Sequence, residues 1–341
     1  ASMSRERSLN LHEEGAASEF LERISEAWRA SRENARLIYG KRTEALFAYV
    51  AGGLGRARLV KQEDAGDVYS TEDVIPPDYR IVLFDGRRLL VEVKNIHDDD
   101  PLAKVRLARD YVARLARYAE LDGSQLKFAI YFSRWGQWAL LPLEWFEPTG
   151  THLEIDLPTA LARSEMAILG DQTVATTPDI QILLEADTGT DRRIKDQGKA
   201  KFKVGRIRLF CNSVEITDLV ERRLAFYFIR FSKWVESEEE ALVKGGDLVA
   251  LRFTFAPHPD LITPEQPIQM LGSISSMISR AFAELTTEDG QVIALTAANE
   301  PSELGVLISE DYKGKNLPLW RFTTRPNLDF STADVEFGER G

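Results

Sequence analysis

Three short segments carry the residue types best suited to chemistry: Glu92-Val93-Lys94, Pro77-Asp78, and Glu44 upstream of both. Side chains alternate between faces along a strand, so Glu92 and Lys94 share one face while Val91 and Val93 take the other. A Lys beside a Glu at the end of a strand otherwise made of Leu and Val is costly to bury unless the two pair or serve a metal. Whether Asp78 joins them depends on the turn at Asp85-Gly86, a strong hairpin signal between β-rich runs at 79–84 and 87–95. A two-residue loop would pair Phe84 with Arg87 and leave Asp78 opposite Val93, on the wrong face. A three-residue loop, Phe84-Asp85-Gly86 with Gly86 left-handed, instead pairs Leu83 with Arg87 and Asp78 with Glu92. The apolar pattern favours the longer loop, because it gathers Ile81, Leu83, Leu89, Val91 and Val93 on one face. Two carboxylates at adjacent strand positions then repel unless a cation sits between them. All-oxygen ligands suit a hard divalent ion, Mg2+ or Mn2+.

Positioning such a cluster requires flanking elements. Phe20, Ile24, Trp28, Leu37, Ala45, Phe47 and Tyr49 read at helical spacing over residues 17–50, ending at Gly52-Gly53-Leu54-Gly55. Those glycines fit a helix C-cap rather than a phosphate loop: no strand precedes them, and no lysine sits where a phosphate loop needs one. A strand at 57–61 and an acidic loop lead to the hairpin. Asp98-Asp99-Asp100-Pro101 then reads as the opening of a helix with Val105, Ala108, Val112, Leu115 and Ala119 as its buried stripe, closed by Gly123. Strands are expected at 126–132 and 137–142, followed by a connection with a short helix near 157–168. Beyond it the sequence predicts strands at 202–211, 224–231, 248–255, 291–296, 305–309 and 319–323, and one amphipathic helix at 266–285, whose spacing fits a core better than a dimer seam.

Glu44 on a helix, Pro77-Asp78, a turn, Glu92-Val93-Lys94, then a further helix and strand resemble the core of the PD-(D/E)XK nuclease superfamily, most of all archaeal Holliday-junction resolvases and some restriction enzymes. The resemblance covers about residues 30–145. It implies a restriction-endonuclease-like αβββαβ core within an α/β chain, in which Asp78, Glu92 and the Val93 carbonyl hold Mg2+ or Mn2+. It further implies that Lys94 orients the attacking water or steadies developing negative charge, and that Glu44 is the additional acid, with Glu33 as its fallback. Asp67 competes with Asp78 for the second carboxylate, but the proline and hairpin fix Asp78 better. Arg106 and Arg109, on the helix expected after the hairpin, and His97 are the candidates for contacting phosphate.

Composition bounds the rest. At 341 residues the chain is long enough for two domains, since cores split at roughly 100 to 200 residues each. The expected division is a nuclease domain at 17–147, a connection at 148–198, and an α/β or α+β domain at 199–335 of unassigned role. The formal charge of −11 is unevenly spread: residues 1–150 carry 22 Lys and Arg against 24 Asp and Glu, and residues 151–341 carry 21 against 30. A near-neutral first half with an acidic cleft remains compatible with DNA. Cys211 is the single cysteine, which excludes an intramolecular disulfide and a cysteine-based zinc site. No apolar run reaches the roughly 18 residues of a membrane span, and the Arg- and Glu-rich start lacks a signal-peptide core, so the expected location is the cytoplasm, with no membrane partner. Ser133-Arg134-Trp135-Gly136-Gln137-Trp138 reads as a turn whose indoles suit core packing better than base stacking. The expected function is hydrolysis of phosphodiester bonds in DNA, as an endonuclease of repair, recombination, mobile elements or phage defence, working as a homodimer or within a multi-protein complex. The alternative is a catalytically silent copy of the same fold, serving as a binding module.

Overall fold

The computed structural model describes residues 22, 25, 35–63, 66–195, 199–262 and 266–332. Glu33 and most of the start of the expected first helix therefore lie outside the described residues. The chain divides into two units, residues 1–170 with 282–304 and 325–341, and residues 171–281 with 305–324. Both mix helices with several sheets.

The first unit opens with α1 (Ala35–Gly53), whose buried positions Thr43, Leu46, Phe47, Val50 and Ala51 recur at helical spacing. The helix ends at the glycine run: a Cβ on Gly52 would lie 2.7 Å from the Pro301 Cβ, and Gly55 has a φ of 81°. Then come β1 (Ala57–Gln62), β2 (Tyr79–Leu83) and β3 (Arg88–Ile96), each antiparallel to the last. A crossover through β4 (Val105–Ala108) and α2 (Arg109–Asp122) brings β5 (Gln125–Phe132) parallel to β3. β6 (Gln137–Pro142) returns antiparallel, giving the sheet order β1-β2-β3-β5-β6. The element order expected from sequence, helix, strand, hairpin, helix, strand, is therefore present, with β4 inserted.

The two faces of this sheet bury different things. Tyr79, Ile81, Leu83, Leu89, Val91 and Val93 lie on the α1 face, where Phe47 meets Tyr79 at 6.0 Å and Trp138 at 5.5 Å between ring centroids. Trp138 is thus core, as expected, while Trp135 is exposed at the turn. On the opposite face, Val112 and Leu115 of α2 pack with Phe128, Ile130 and Phe132. Glu92 and Lys94 sit beside Phe128 and Ile130 in the parallel register, so they share the α2 face.

Two expectations around the crossover need correction. Asp98, Asp99 and Asp100 do not open a helix; Asp98 and Asp100 each accept a backbone N–H two residues on, from Asp100 and Leu102, and so form turns. Val105 and Leu107 are buried while Arg106 is exposed, the period of a strand, and β4 pairs with β8 (His152–Ile155), which also pairs with β7 (Glu147–Thr149). The helix begins only at Arg109, with Gly123 closing it in the left-handed conformation. Arg106 therefore stands on a strand, tied to Glu154 at 3.0 Å, and not on a phosphate-facing helix.

The stretch read as a connection carries more structure than its Pro, Thr and Asp content implied: β8, α3 (Leu157–Ala162) capped by Asp156, β9 (Thr173–Thr176) and β10 (Ile180–Ala186). The second unit is built on the antiparallel sheet β12-β11-β10-β14-β13, with β11 (Val204–Cys211), β12 (Val214–Ile216), β13 (Val235–Lys244) and β14 (Asp247–Ala256). A second sheet, β15-β9-β18, uses β15 (Gln269–Ser273) and β18 (Leu319–Phe322), while β16 (Thr287–Glu288) and β17 (Gln291–Val292) form a small ribbon in the first unit. Residues 224–231, expected as a strand, belong to helix α4 (Leu219–Phe231): Asp218 accepts the N–H groups of Val220 and Glu221, and Leu224, Ala225 and Phe228 are buried at helical spacing. The helix expected at 266–285 is α5 (Ile274–Thr286), its first residues being β15 instead. No helix among the described residues is long and apolar enough to cross a membrane.

Candidate active site

The hairpin register decides whether the acids meet. Tyr79 pairs with Val91, Arg80 with Leu90, Ile81 with Leu89 and Val82 with Arg88, and Leu83 N–H donates to the Arg87 carbonyl at 3.0 Å. The loop is therefore Phe84-Asp85-Gly86, with Gly86 at a φ of 89° and its N–H donating to the Leu83 carbonyl at 3.0 Å. One step further along this register, Asp78 stands opposite Glu92. Asp78 Oδ2 accepts the Val93 N–H at 2.7 Å, which anchors the carboxylate across the two strands.

Both carboxylates are withdrawn from solvent, Asp78 at 8% and Glu92 at 4% exposure. Glu92 Oε1 accepts from Lys94 Nζ at 2.6 Å and from the Tyr111 hydroxyl at 2.5 Å. Lys94 Nζ also lies 4.9 Å from the centroid of the Tyr111 ring and 3.5 Å from its hydroxyl. Tyr111, on the first turn of α2, escapes a reading of the sequence that starts the helix earlier and gives that face no polar role. The only available signal is a polar aromatic one turn before Leu115, too common to single out.

Electrostatics bind the cluster together. Burial first, and then the charge of Glu92, pushes the Asp78 carboxyl up to about 8, with Glu44 adding to the rise and the Val93 N–H and Lys94 opposing it. Burial and the same acids, Glu92, Asp78 and Glu44, hold the Tyr111 hydroxyl well above the ordinary phenol range, so it stays a donor. Glu44, on α1, is thus within electrostatic reach of Asp78 and Tyr111, and it pairs with Lys41 at 2.6 Å. Glu44 and Lys94 also line a groove of roughly 770 Å³, with Arg42, Asn95, His97 and Ser133 among others; Asp78, Glu92 and Tyr111 are not part of its lining.

The remaining predicted residues separate from this group in different ways. His97 lines the groove, its Nδ1 2.9 Å from Ser133 Oγ. Arg109 is exposed at the start of α2 and reaches the Gly150 carbonyl at 3.4 Å; Arg106 is held by Glu154. Asp67 is exposed in the loop between β1 and β2.

Two carboxylate oxygens of this cluster could accept a divalent ion. Among the described residues Asp78 Oδ1 and Glu92 Oε2 take no hydrogen bond, and of these two carboxylates only Glu92 forms an ion pair, with Lys94. An excess of buried negative charge is stabilised by a cation. No group of three or more His, Cys, Asp or Glu residues at metal-holding distances occurs among the described residues.

No protein-family model matches the chain, and no curated protein matches it. Among solved structures it is similar to Hjc, a Holliday junction resolvase from the archaeal hyperthermophile Archaeoglobus fulgidus, at 22% identity, covering 32% of this chain and 85% of that one, with a TM-score of 0.25. A likeness of that size does not by itself establish a common fold.

Proposed function

We propose that the first unit is a metal-dependent nuclease of the PD-(D/E)XK type that hydrolyses phosphodiester bonds in DNA. The observation that carries this reading is the hairpin register, which sets Asp78 opposite Glu92 with Lys94 on the same face, Asp78 accepting the Val93 N–H and Glu92 accepting from Lys94. The sheet order β1-β2-β3-β5-β6, with a helix on each face and a parallel β3–β5 pair, supports the same reading.

Asp78 Oδ1, Glu92 Oε2 and the Val93 carbonyl would hold Mg2+ or Mn2+. When bound, that ion supplies a Lewis acid for the phosphate and lowers the pKa of water. The Tyr111 hydroxyl fixes Glu92 through Oε1, leaving Oε2 for the ion. Lys94 would orient the attacking water or meet the negative charge that develops on phosphate. Glu44 adds negative charge to the same cluster and, with His97, borders the groove through which a strand would approach.

The test is incubation of the protein with branched, linear duplex and single-stranded DNA and with RNA, in Mg2+ or Mn2+. Cleavage of DNA that requires the metal is the expected result. Binding without cleavage of any substrate would replace this reading with a silent binding module.

A further inference from the structure

The second unit carries one concentrated positive segment in an otherwise acidic half. Residues 191–208 hold eight Lys and Arg against two Asp, whereas residues 151–341 as a whole hold 21 against 30. The segment runs from the connection between β10 and β11 into β11 itself; among the described residues of this arm Asp187 N–H donates to the Lys203 carbonyl at 2.8 Å, and Lys195 N–H to the Lys199 carbonyl at 3.0 Å. Along its second limb Lys199, Lys201 and Lys203 are exposed while Ala200 and Phe202, between them, are partly buried. The lysines therefore point outward in sequence alternation, and Lys195 is exposed as well.

Among the described residues, neighbouring acids leave much of this row unmatched. Arg206 and Arg208 are held by Glu215, Arg208 also by Glu185, and Arg193 by Asp247. Lys203 is only loosely matched, 4.0 Å from Asp187. Lys195, Lys199 and Lys201 have no ion pair among the described residues. Solvated lysines have no folding reason to cluster, and their mutual repulsion disfavours it. An extended row of outward lysines does suit a regular polyanion, whose condensed counterions are released when lysines replace them.

We propose that this arm is a second DNA-binding surface, holding the phosphate backbone of duplex DNA without reading its sequence. The choice of DNA rests on the nuclease reading of the first unit; the charge row itself belongs to the second.

The test measures binding of the full chain to a fluorescein-labelled duplex of arbitrary sequence by anisotropy, in EDTA, over a series of salt concentrations. A variant with Lys195, Lys199 and Lys201 changed to Gln is compared with one in which the exposed Lys244, Lys313 and Lys315 are changed to Gln, which removes the same charge from the same unit. Thermal melting confirms that both are folded. The expected result is that the slope of log affinity against log salt becomes shallower by up to about 3 in the arm variant, at about 0.9 for each phosphate no longer neutralised, and barely changes in the other. Equal losses in both variants, an unchanged arm variant, or no binding by the parent chain would overturn the proposal. Metal-dependent cleavage is scored separately: an arm variant that binds and cuts like the parent defeats the arm and spares the nuclease, whereas a chain that binds through the arm but never cuts does the reverse.

Discussion

Replacing Asp78 with Asn should make the metal-free protein more stable at neutral pH. Asp78 is nearly buried beside Glu92 and Glu44, and its carboxyl is raised from the ordinary range to about 8. A carboxyl raised on folding stays protonated in the native state while the unfolded chain ionises, so it costs stability as pH rises from about 4 to about 8. Each unit of difference is worth about 1.4 kcal/mol, giving a ceiling of about 4 kcal/mol at pH 7 for this one group. Asn keeps an oxygen to accept the Val93 N–H and cannot ionise. Urea unfolding in EDTA between pH 5 and pH 8 should show the parent losing stability relative to Asp78→Asn as pH rises. Adding Mg2+ should recover that loss in the parent, by about 2.7 kcal/mol when the ion stands at 100 times its Kd, and should do little for the variant. A variant less stable than the parent throughout, with the same pH profile, would refute the idea that Asp78 is an uncompensated buried acid awaiting a cation.

Tyr111→Phe removes the hydroxyl that holds Glu92 Oε1 and leaves the ring beside Lys94; stability should fall by roughly 1.5–3 kcal/mol, and any metal-dependent cleavage should fall with weaker metal dependence, seen as a higher Mg2+ midpoint. Gly86→Val places a β-branched residue at a φ of 89° in the loop that sets the register; a loss of at least about 1 kcal/mol by denaturant unfolding is expected, with cleavage reduced alongside. Asp156 caps α3 and pairs with Lys104 at 2.6 Å; despite its burial, the lysine and the Thr159 side chain and N–H hold its carboxyl below the usual range. Its contribution is present above the unfolded carboxylate pKa and lost as pH falls through the folded one, so Asp156→Asn should flatten the acid limb of the stability profile below about pH 4.

The site was legible where covalent spacing alone fixed geometry. A hairpin with one glycine leaves two registers, and the apolar residues Ile81, Leu83, Leu89, Val91 and Val93 choose between them, because a slip of one residue would turn the buried set outward. Regions whose pattern depends on partners far away in sequence were not legible. Val105 and Ala108 fit a helical stripe as well as Val105 and Leu107 fit a strand, and only β8, nearly 50 residues on, decides for the strand. Glu236, Glu238, Glu239 and Glu240 fall between the strands expected at 224–231 and 248–255, yet they lie on β13, an edge strand whose mostly exposed acids discourage further pairing. Residues 224–231, apolar and aromatic enough for a strand, became a helix because Asp218 supplies a cap just before them.

Everything proposed for the first unit depends on Asp78 and Glu92, facing each other across the hairpin, serving one reaction. Single-turnover cleavage of DNA in Mg2+ by the parent, Asp78→Asn and Glu92→Gln isolates that dependence, since both substitutions preserve shape and remove only the charge. A metal-dependent rate in the parent that drops by on the order of 100-fold or more in each variant is the expected result. Cleavage at close to the parental rate in either variant would contradict it.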